Sequence, residues 1–371
     1  MIIGVPKEIK VDENRVGLLP AGAEQLVTDG HHVLVETGAG LASGAKDEDY
    51  QTAGARIVTA SGQLYREADL IIKVKEPLPP EYPLVRPGQA IFCYFHFAAN
   101  GELTTAMQER RIVAIAYETV TSADGSLPLL IPMSEVAGRM AVQEGAKYLE
   151  KPRGGRGILL SGVPGVAAAD VVILGGGVVG ASAARIAAGL GANVFILDIN
   201  LPRLRYLADI MPPNVTTLMS NSYNLRKLVN SADLLIGAVL IHGARTPKLV
   251  SREMIRTMKE GAVLVDVAVD QGGCSETCRP TTHGEPTYVV DGVIHYCVTN
   301  MPGAVPRTST FALTNATTRY ALEIANKGWR EAARTNPEIA AGLNLVAGQI
   351  THPGVAEARN VSFTPWQKVP L

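Results

Sequence analysis

The chain has almost no net charge: 34 Lys and Arg stand against 35 Asp and Glu, a formal balance of -1 over 371 residues. It therefore offers no basic field to gather nucleic acid or an anionic membrane surface, and a ligand has to be recognised by a local site. Charged residues reach only 19% beside 47% hydrophobic ones, a composition that excludes a disordered chain and suits well-packed cores. No apolar run is long enough for a membrane span, and the opening MIIGVPKEIKVDENR lacks a signal peptide's apolar centre. Cytoplasmic residence is the expectation. Cysteine is scarce, and Cys93, Cys274, Cys278 and Cys297 include no CxxC pair, which excludes the usual redox motif. Cys274 and Cys278 with His283 are conceivable metal ligands, but reduced structural thiols suit the chain better, so no metal is expected. Internal repeats and low-complexity tracts are absent too.

What is present is concentrated in residues 171–200, VVILGGGVVGASAARIAAGLGANVFILDIN. Val171 to Leu174 is an apolar, β-branched run of the kind covered on both faces in a parallel sheet. Gly175 permits a tight turn, Gly177 leaves room for a pyrophosphate against the backbone, and Gly180 lets the next helix pack close to the strand. Free N–H groups at that helix start would receive the phosphates. Asp198 ends the second strand, eighteen residues after Gly180, where a carboxylate accepts hydrogen bonds from the adenine-ribose hydroxyls. A 2′-phosphate would meet its negative charge, so NAD is favoured over NADP, with Arg203 and Arg205 nearby softening that preference.

At 371 residues the chain has the length for two domains. Short buried strands are expected at 33–36, 70–74, 90–94 and 112–116 before the glycine loop, and at 215–219, 234–238, 263–267 and 294–298 after it, with helical segments between. The predicted fold is α/β, with two Rossmann-like domains of mostly parallel, doubly wound sheets joined by long helices and a cleft between them. The nucleotide domain, residues 131–305, should hold six strands. The substrate domain should be discontinuous, residues 1–130 plus 306–371. Helices over 133–148 and 308–335 are read as the bridges.

Polar residues at the carboxyl ends of strands attract attention because ligands of open α/β sheets bind there. Lys73 and Lys75 close DLIIKVKEP, His96 follows AIFCYF, and Asp270 ends GAVLVDVAVDQGG. Each has a bland alternative: a lone histidine between apolar residues is more often a satisfied core or loop residue, an acid before Gly-Gly is often a turn former, and Arg15 in KEIKVDENRVGLLP reads as a solvated surface residue.

Together they carry a resemblance. VPKEIK…ENRVGLLP, IIKVKEP, CYFHFA, AYETV, PLLIPMSEVAGRMAVQEGA, GGVVGASAARIAAGLGA, LLIGAVLIHGARTPKLV, VDVAVDQGGC and NMPGAVPRTST follow in order and closely resemble NAD-dependent L-alanine dehydrogenases over about residues 1–330. The resemblance implies reversible oxidation of L-alanine to pyruvate and ammonium by a homohexamer. It also implies a substrate-binding Arg15 and Lys75, and a catalytic His96 and Asp270. Cofactor contacts would fall on Ser134, Val178, Val179, Asp198, Arg203, Ser220, Val239, Leu240, Val267, Ala268, Val269, Asp270, Arg279, Val298, Thr299, Asn300 and Met301. The tail after Arg330 is less typical of the family and receives no catalytic role. Three other readings share parts of this pattern: the soluble nucleotide-binding component of a proton-translocating transhydrogenase, a non-catalytic NAD sensor, and a dehydrogenase for a larger amino acid.

Overall fold

A computed structural model describes residues 1–239 and 246–370. The chain opens with six strands, β1 (Ile2–Val5), β2 (His32–Glu36), β3 (Arg56–Val58), β4 (Leu70–Ile72), β5 (Ala90–Cys93) and β6 (Val113–Ala116). Seven follow: β7 (Asp170–Leu174), β8 (Asn193–Asp198), β9 (Val215–Met219), β10 (Leu234–Gly237), β11 (Val263–Asp266), β12 (Thr287–Val290) and β13 (Val293–Tyr296). Two more, β14 (Leu343–Val346) and β15 (Gln349–Ile350), come near the end. They are distributed between two compact units, residues 1–133 with 303–371, and residues 134–302.

In the first unit the strands lie in the order β15-β14-β6-β5-β4-β1-β2-β3. The six from β3 to β6 are all parallel, and β14 runs antiparallel to β6. Read from β3, the parallel part is a doubly wound sheet that reverses direction between β1 and β4. β4, β5 and β6 are buried throughout, as central parallel strands with helices on both faces should be. Their side chains feed a core that includes Ile71, Ile91, Phe95, Phe97, Leu103 and Leu345. β14 and β15 are joined by Ala347 and Gly348, with φ of 49° and 86°, the double left-handed geometry of a two-residue hairpin. The tail thus supplies sheet edge.

The second unit repeats the arrangement, in the order β12-β13-β11-β10-β7-β8-β9. Six strands are parallel and β12 is antiparallel to β13, so the expected six-stranded sheet has a seventh member. β12 is an edge strand with no fully buried residue.

The helix Ile131–Tyr148 contains two glycines whose reason is packing. A Cβ at Gly138 would stand 2.2 Å from the Val179 carbonyl oxygen, and one at Gly145 would stand 2.6 Å from Leu234 Cδ1. The predicted continuous helix over 308–335 is two helices, Pro306–Lys327 and Trp329–Thr335. Gly328, at φ 75°, takes a conformation that no right-handed helix contains.

Candidate active site

The charged residues of the first unit gather past the carboxyl ends of β1, β4, β5 and β6. The β1/β4 boundary is the topological switch point, where such sheets hold ligands. The loop after β1 carries Glu8, Glu13 and Arg15. Far from being a solvated surface residue, Arg15 is 2% exposed. Its Nε donates to Glu13 Oε1 at 2.7 Å and its Nη2 to Oε2 at 2.5 Å, a forked pair, while Nη1 lies 2.9 Å from Met133 Sδ. Burial alone would lift the Glu13 carboxyl, but the hydrogen bonds and charge of Arg15 outweigh it and hold that group at about 2.

The two lysines after β4 separate clearly. Lys73 is fully buried, with Nζ 2.7 Å from Glu81 Oε1 and 3.3 Å from Glu8 Oε2. Burial works against its charge, and the two carboxylates more than restore it. Glu8 also accepts the Val74 amide at 2.7 Å and the Lys75 amide at 3.3 Å, tying β1 to the lysine loop across the switch point. Lys75 is half-buried and makes no ion pair among the described residues. Burial, then the positive charges of Arg15 and Lys10, push its ammonium below the ordinary lysine range. It is the lysine still open to an anion.

His96 is exposed although Phe95 and Phe97 beside it are buried. Those rings stack on each other with centroids 4.5 Å apart, and the backbone between them turns left-handed, φ 56° at His96, sending the imidazole outward. This excludes the core half of the alternative for His96 and places the residue in a loop. Tyr94 lies parallel to it at 5.9 Å. The residue behind this turn is Glu118, just past β6, whose Oε1 accepts the His96 amide at 2.6 Å and whose Oε2 accepts the Phe95 amide at 3.2 Å.

In the second unit nearly every anticipated cofactor residue follows the carboxyl end of a strand: Gly175 to Gly180 after β7, Asp198 at the end of β8, Ser220 after β9, Val239 after β10, Val267 to Asp270 after β11, and Val298 to Met301 after β13. Ser134 lies instead on the helix Ile131–Tyr148 and Arg279 before β12, where its guanidinium covers the Tyr288 ring at 4.2 Å. Leu240 falls outside the described residues.

The glycine loop fits a dinucleotide. Gly175 has φ 99°, and a Cβ at Gly180 would sit 1.8 Å from the Gly175 carbonyl oxygen, so neither position accepts a side chain. At Gly177 a Cβ would meet nothing within 4 Å, so the backbone there is open to close approach. The helix Val178–Gly189 begins at Gly177 with no side-chain cap, leaving its first amides for an anion. Asp198 braces this loop, accepting the Gly176 amide at 2.6 Å and the Asn200 amide at 2.8 Å. Arg203 Nε donates to the Gly176 carbonyl at 2.6 Å, while Arg205 is exposed.

Asp270 is exposed on the short turn Val269–Gln271. Gly272 and Gly273, both left-handed, make the chain bend, and fully buried Asp266 closes it by accepting the Ala268 amide at 3.0 Å and the Cys274 amide at 2.7 Å. Sequence reasoning overlooked Glu8, Glu13, Glu118 and Asp266. Asp266 and Glu118 had a signal, an acid ending or just following an apolar strand. His283, considered beside Cys274 and Cys278, has Nε2 3.3 Å from the Asn300 carbonyl oxygen.

Comparison with known proteins agrees with this architecture. Residues 4–137 match the family "Alanine dehydrogenase/PNT, N-terminal domain" and residues 141–353 match "Alanine dehydrogenase/PNT, C-terminal domain". An alanine dehydrogenase of Methanococcus maripaludis is 57% identical over 99% of both chains, so the likeness extends through the tail rather than stopping near residue 330. A solved L-alanine dehydrogenase superposes with a TM-score of 0.94 at 52% identity, covering 97% of this chain and 99% of its own. A transhydrogenase from Sinorhizobium meliloti superposes with a TM-score of 0.81 at 25% identity, covering 95% and 99%. The chain belongs to the alanine dehydrogenase/PNT family.

Proposed function

We propose that the protein catalyses the reversible NAD-dependent oxidative deamination of L-alanine to pyruvate and ammonium, with residues 1–130 and 306–371 as the substrate domain and 131–305 as the NAD domain. The observation that carries this reading is the set past the carboxyl ends of β1, β4 and β5: buried Arg15, Lys75 with no ion pair among the described residues, and outward-facing His96. Such a set suits a small carboxylate with a reacting α-carbon. The full-length likeness to alanine dehydrogenases supports the same substrate.

Bound NAD supplies a nicotinamide C4 that accepts the hydride from the substrate Cα. The protein's task is to bind, orient and move protons. Arg15 is proposed to hold the α-carboxylate as a forked donor, with Glu13 fixing the plane of its guanidinium. Lys75 adds a point charge near the carboxylate or the developing carbonyl. Loss of hydride leaves a substrate iminium, to which water adds before ammonia departs, and His96 is proposed to take and return those protons. Asp270 is proposed to hold the amino group or activate the water. In the second unit Asp198 would engage the adenine ribose, and Gly177 would admit the pyrophosphate. The remaining cofactor contacts are Ser134, Val178, Val179, Arg203, Ser220, Val239, Leu240, Val267 to Asp270, Arg279 and Val298 to Met301.

No helix among the described residues is long and apolar enough to cross a membrane. A cytoplasmic homohexamer is proposed. Following NADH absorbance with pyruvate plus ammonium, against pyruvate alone, tests the activity. NADH loss that requires ammonium is the expected result. Failure with every oxo acid tried, despite tight NADH binding, would transfer the reading to a transhydrogenase component, which exchanges hydride only with a nucleotide-binding partner, or to a non-catalytic NAD sensor.

A further inference from the structure

We propose that Glu118 is the positioning residue for His96, and that it acts on catalysis through the backbone of residues 95 and 96. This rests on the proposed role of His96 in alanine oxidation. His96 is one of only seven non-glycine residues with positive φ among the described residues. A side-chain-bearing residue is held there only where surrounding contacts over-determine it.

Four contacts do so here, one of them the Ala99 amide donated to the His96 carbonyl at 3.0 Å. Phe95 and Phe97 are fixed in the core on either side of the histidine. Glu118 grips the turn with both oxygens, one on each of two successive amides, at 2.6 Å and 3.2 Å. Tyr94, beneath the imidazole, is itself pinned by its hydroxyl, which donates to the Leu129 carbonyl at 2.5 Å. A carboxylate accepting two amides forms charge-assisted bonds, roughly twice as strong as neutral ones. Among them it alone holds the His96 amide, and so fixes the peptide from which the ring departs. Glu118 reaches across from the neighbouring strand, since β5 and β6 are paired up to Cys93 and Ala116. An amide side chain cannot reproduce this grip, because its NH2 end would face an N–H.

The test is a double-mutant cycle of Glu118→Gln and His96→Ala, with a crystal structure of Glu118→Gln. In the wild-type background Glu118→Gln should lower kcat by about 10- to 100-fold, the scale of an ångström-sized misplacement, with NADH binding unchanged. In the His96→Ala background the same substitution should change residual turnover by less than about twofold, since coupled residues are non-additive. The crystal structure should show residue 96 out of the left-handed region or its ring displaced. Glu118→Asp, which keeps the charge, should recover part of the loss. Equal losses in both backgrounds, or an unchanged kcat, would overturn the proposal. Should no alanine activity exist at all, the crystal structure alone decides whether Glu118 holds His96, and an unmoved histidine rejects it. Should Glu118→Gln not fold, Glu118→Asp takes its place in the cycle and the crystal, with the same outcomes deciding.

Discussion

The two units fold their parallel strands in the same order and yet furnish their carboxyl edges with opposite materials. The first places charge there: Arg15 on Glu13, Lys73 between Glu8 and Glu81, and Glu118 under His96. The second clears side chains from the loop after β7, with glycines at 175, 177 and 180 exposing backbone amides, and uses Asp198 and Asp266 to brace the turns at that edge. The difference follows from the ligands proposed for each. A small amino acid has few atoms, so each must be met by a strong, directional group; a dinucleotide is long, and its phosphates need close backbone approach more than they need charge.

That contrast can be broken most severely at His96. His96→Ala should lower kcat by about 10²- to 10⁴-fold, the range of a lost general acid and base, while NADH titration gives the wild-type affinity. Weakened NADH binding would show that the two edges do not work separately. Next in size, Lys73→Met should destabilise the fold by about 3–5 kcal/mol in denaturant unfolding, because two buried carboxylates lose their shared cation. A loss under 1 kcal/mol would mean the buried charges are not what secures the switch point.

Glu13 gives the pH dependence. Its carboxyl is held at about 2 instead of the ordinary 4.5, so it contributes stability that is fully present above 4.5 and lost as pH falls toward 2. The contribution is on the order of 3 kcal/mol. The stability gap between wild type and Glu13→Gln should therefore narrow through that window, and a gap that stays constant would contradict the pairing. The smallest effect on the fold is expected at Gly177→Ala, within about 0.5 kcal/mol of wild type, because its Cβ meets no protein atom within 4 Å. NADH binding should nonetheless weaken, and unchanged affinity would remove the pyrophosphate from that space.

Periodicity made the central strands legible. β5, β6, β10, β11 and β13 are buried on both faces, and continuous apolar runs are what such burial requires. It did not reveal β1, β14 or β15, nor β3, only three residues long, nor β12. Gly328 was visible as a letter, but an isolated glycine in a helical pattern is compatible with a continuous helix, and only its φ separates the two cases. At the site, Asp198 was marked by its place at the end of the second strand, whereas Arg15, Lys75 and His96 were singled out only by the family resemblance, since each also had a bland reading. The supporting carboxylates were harder. Lys73 and Lys75 look equivalent in IIKVKEP, and what separates them is Glu81, eight residues from Lys73, and Glu8, at the end of another strand. Such pairing is set by which strands adjoin, which no local pattern encodes.

The placement of β14 also imposes a timetable. Residues 134–302 form one unbroken stretch, and the second unit has all of its strands once that stretch has left the ribosome. The first unit waits far longer. Although β6 ends at Ala116, the strand that covers its outer edge begins at Leu343. Until more than two hundred further residues are made, the apolar segment Val113–Ala116 has an unpaired edge, the kind of surface that recruits foreign strands. The nascent chain thus carries this exposed edge, a hazard for aggregation, until the segment Leu343–Val346 has been made.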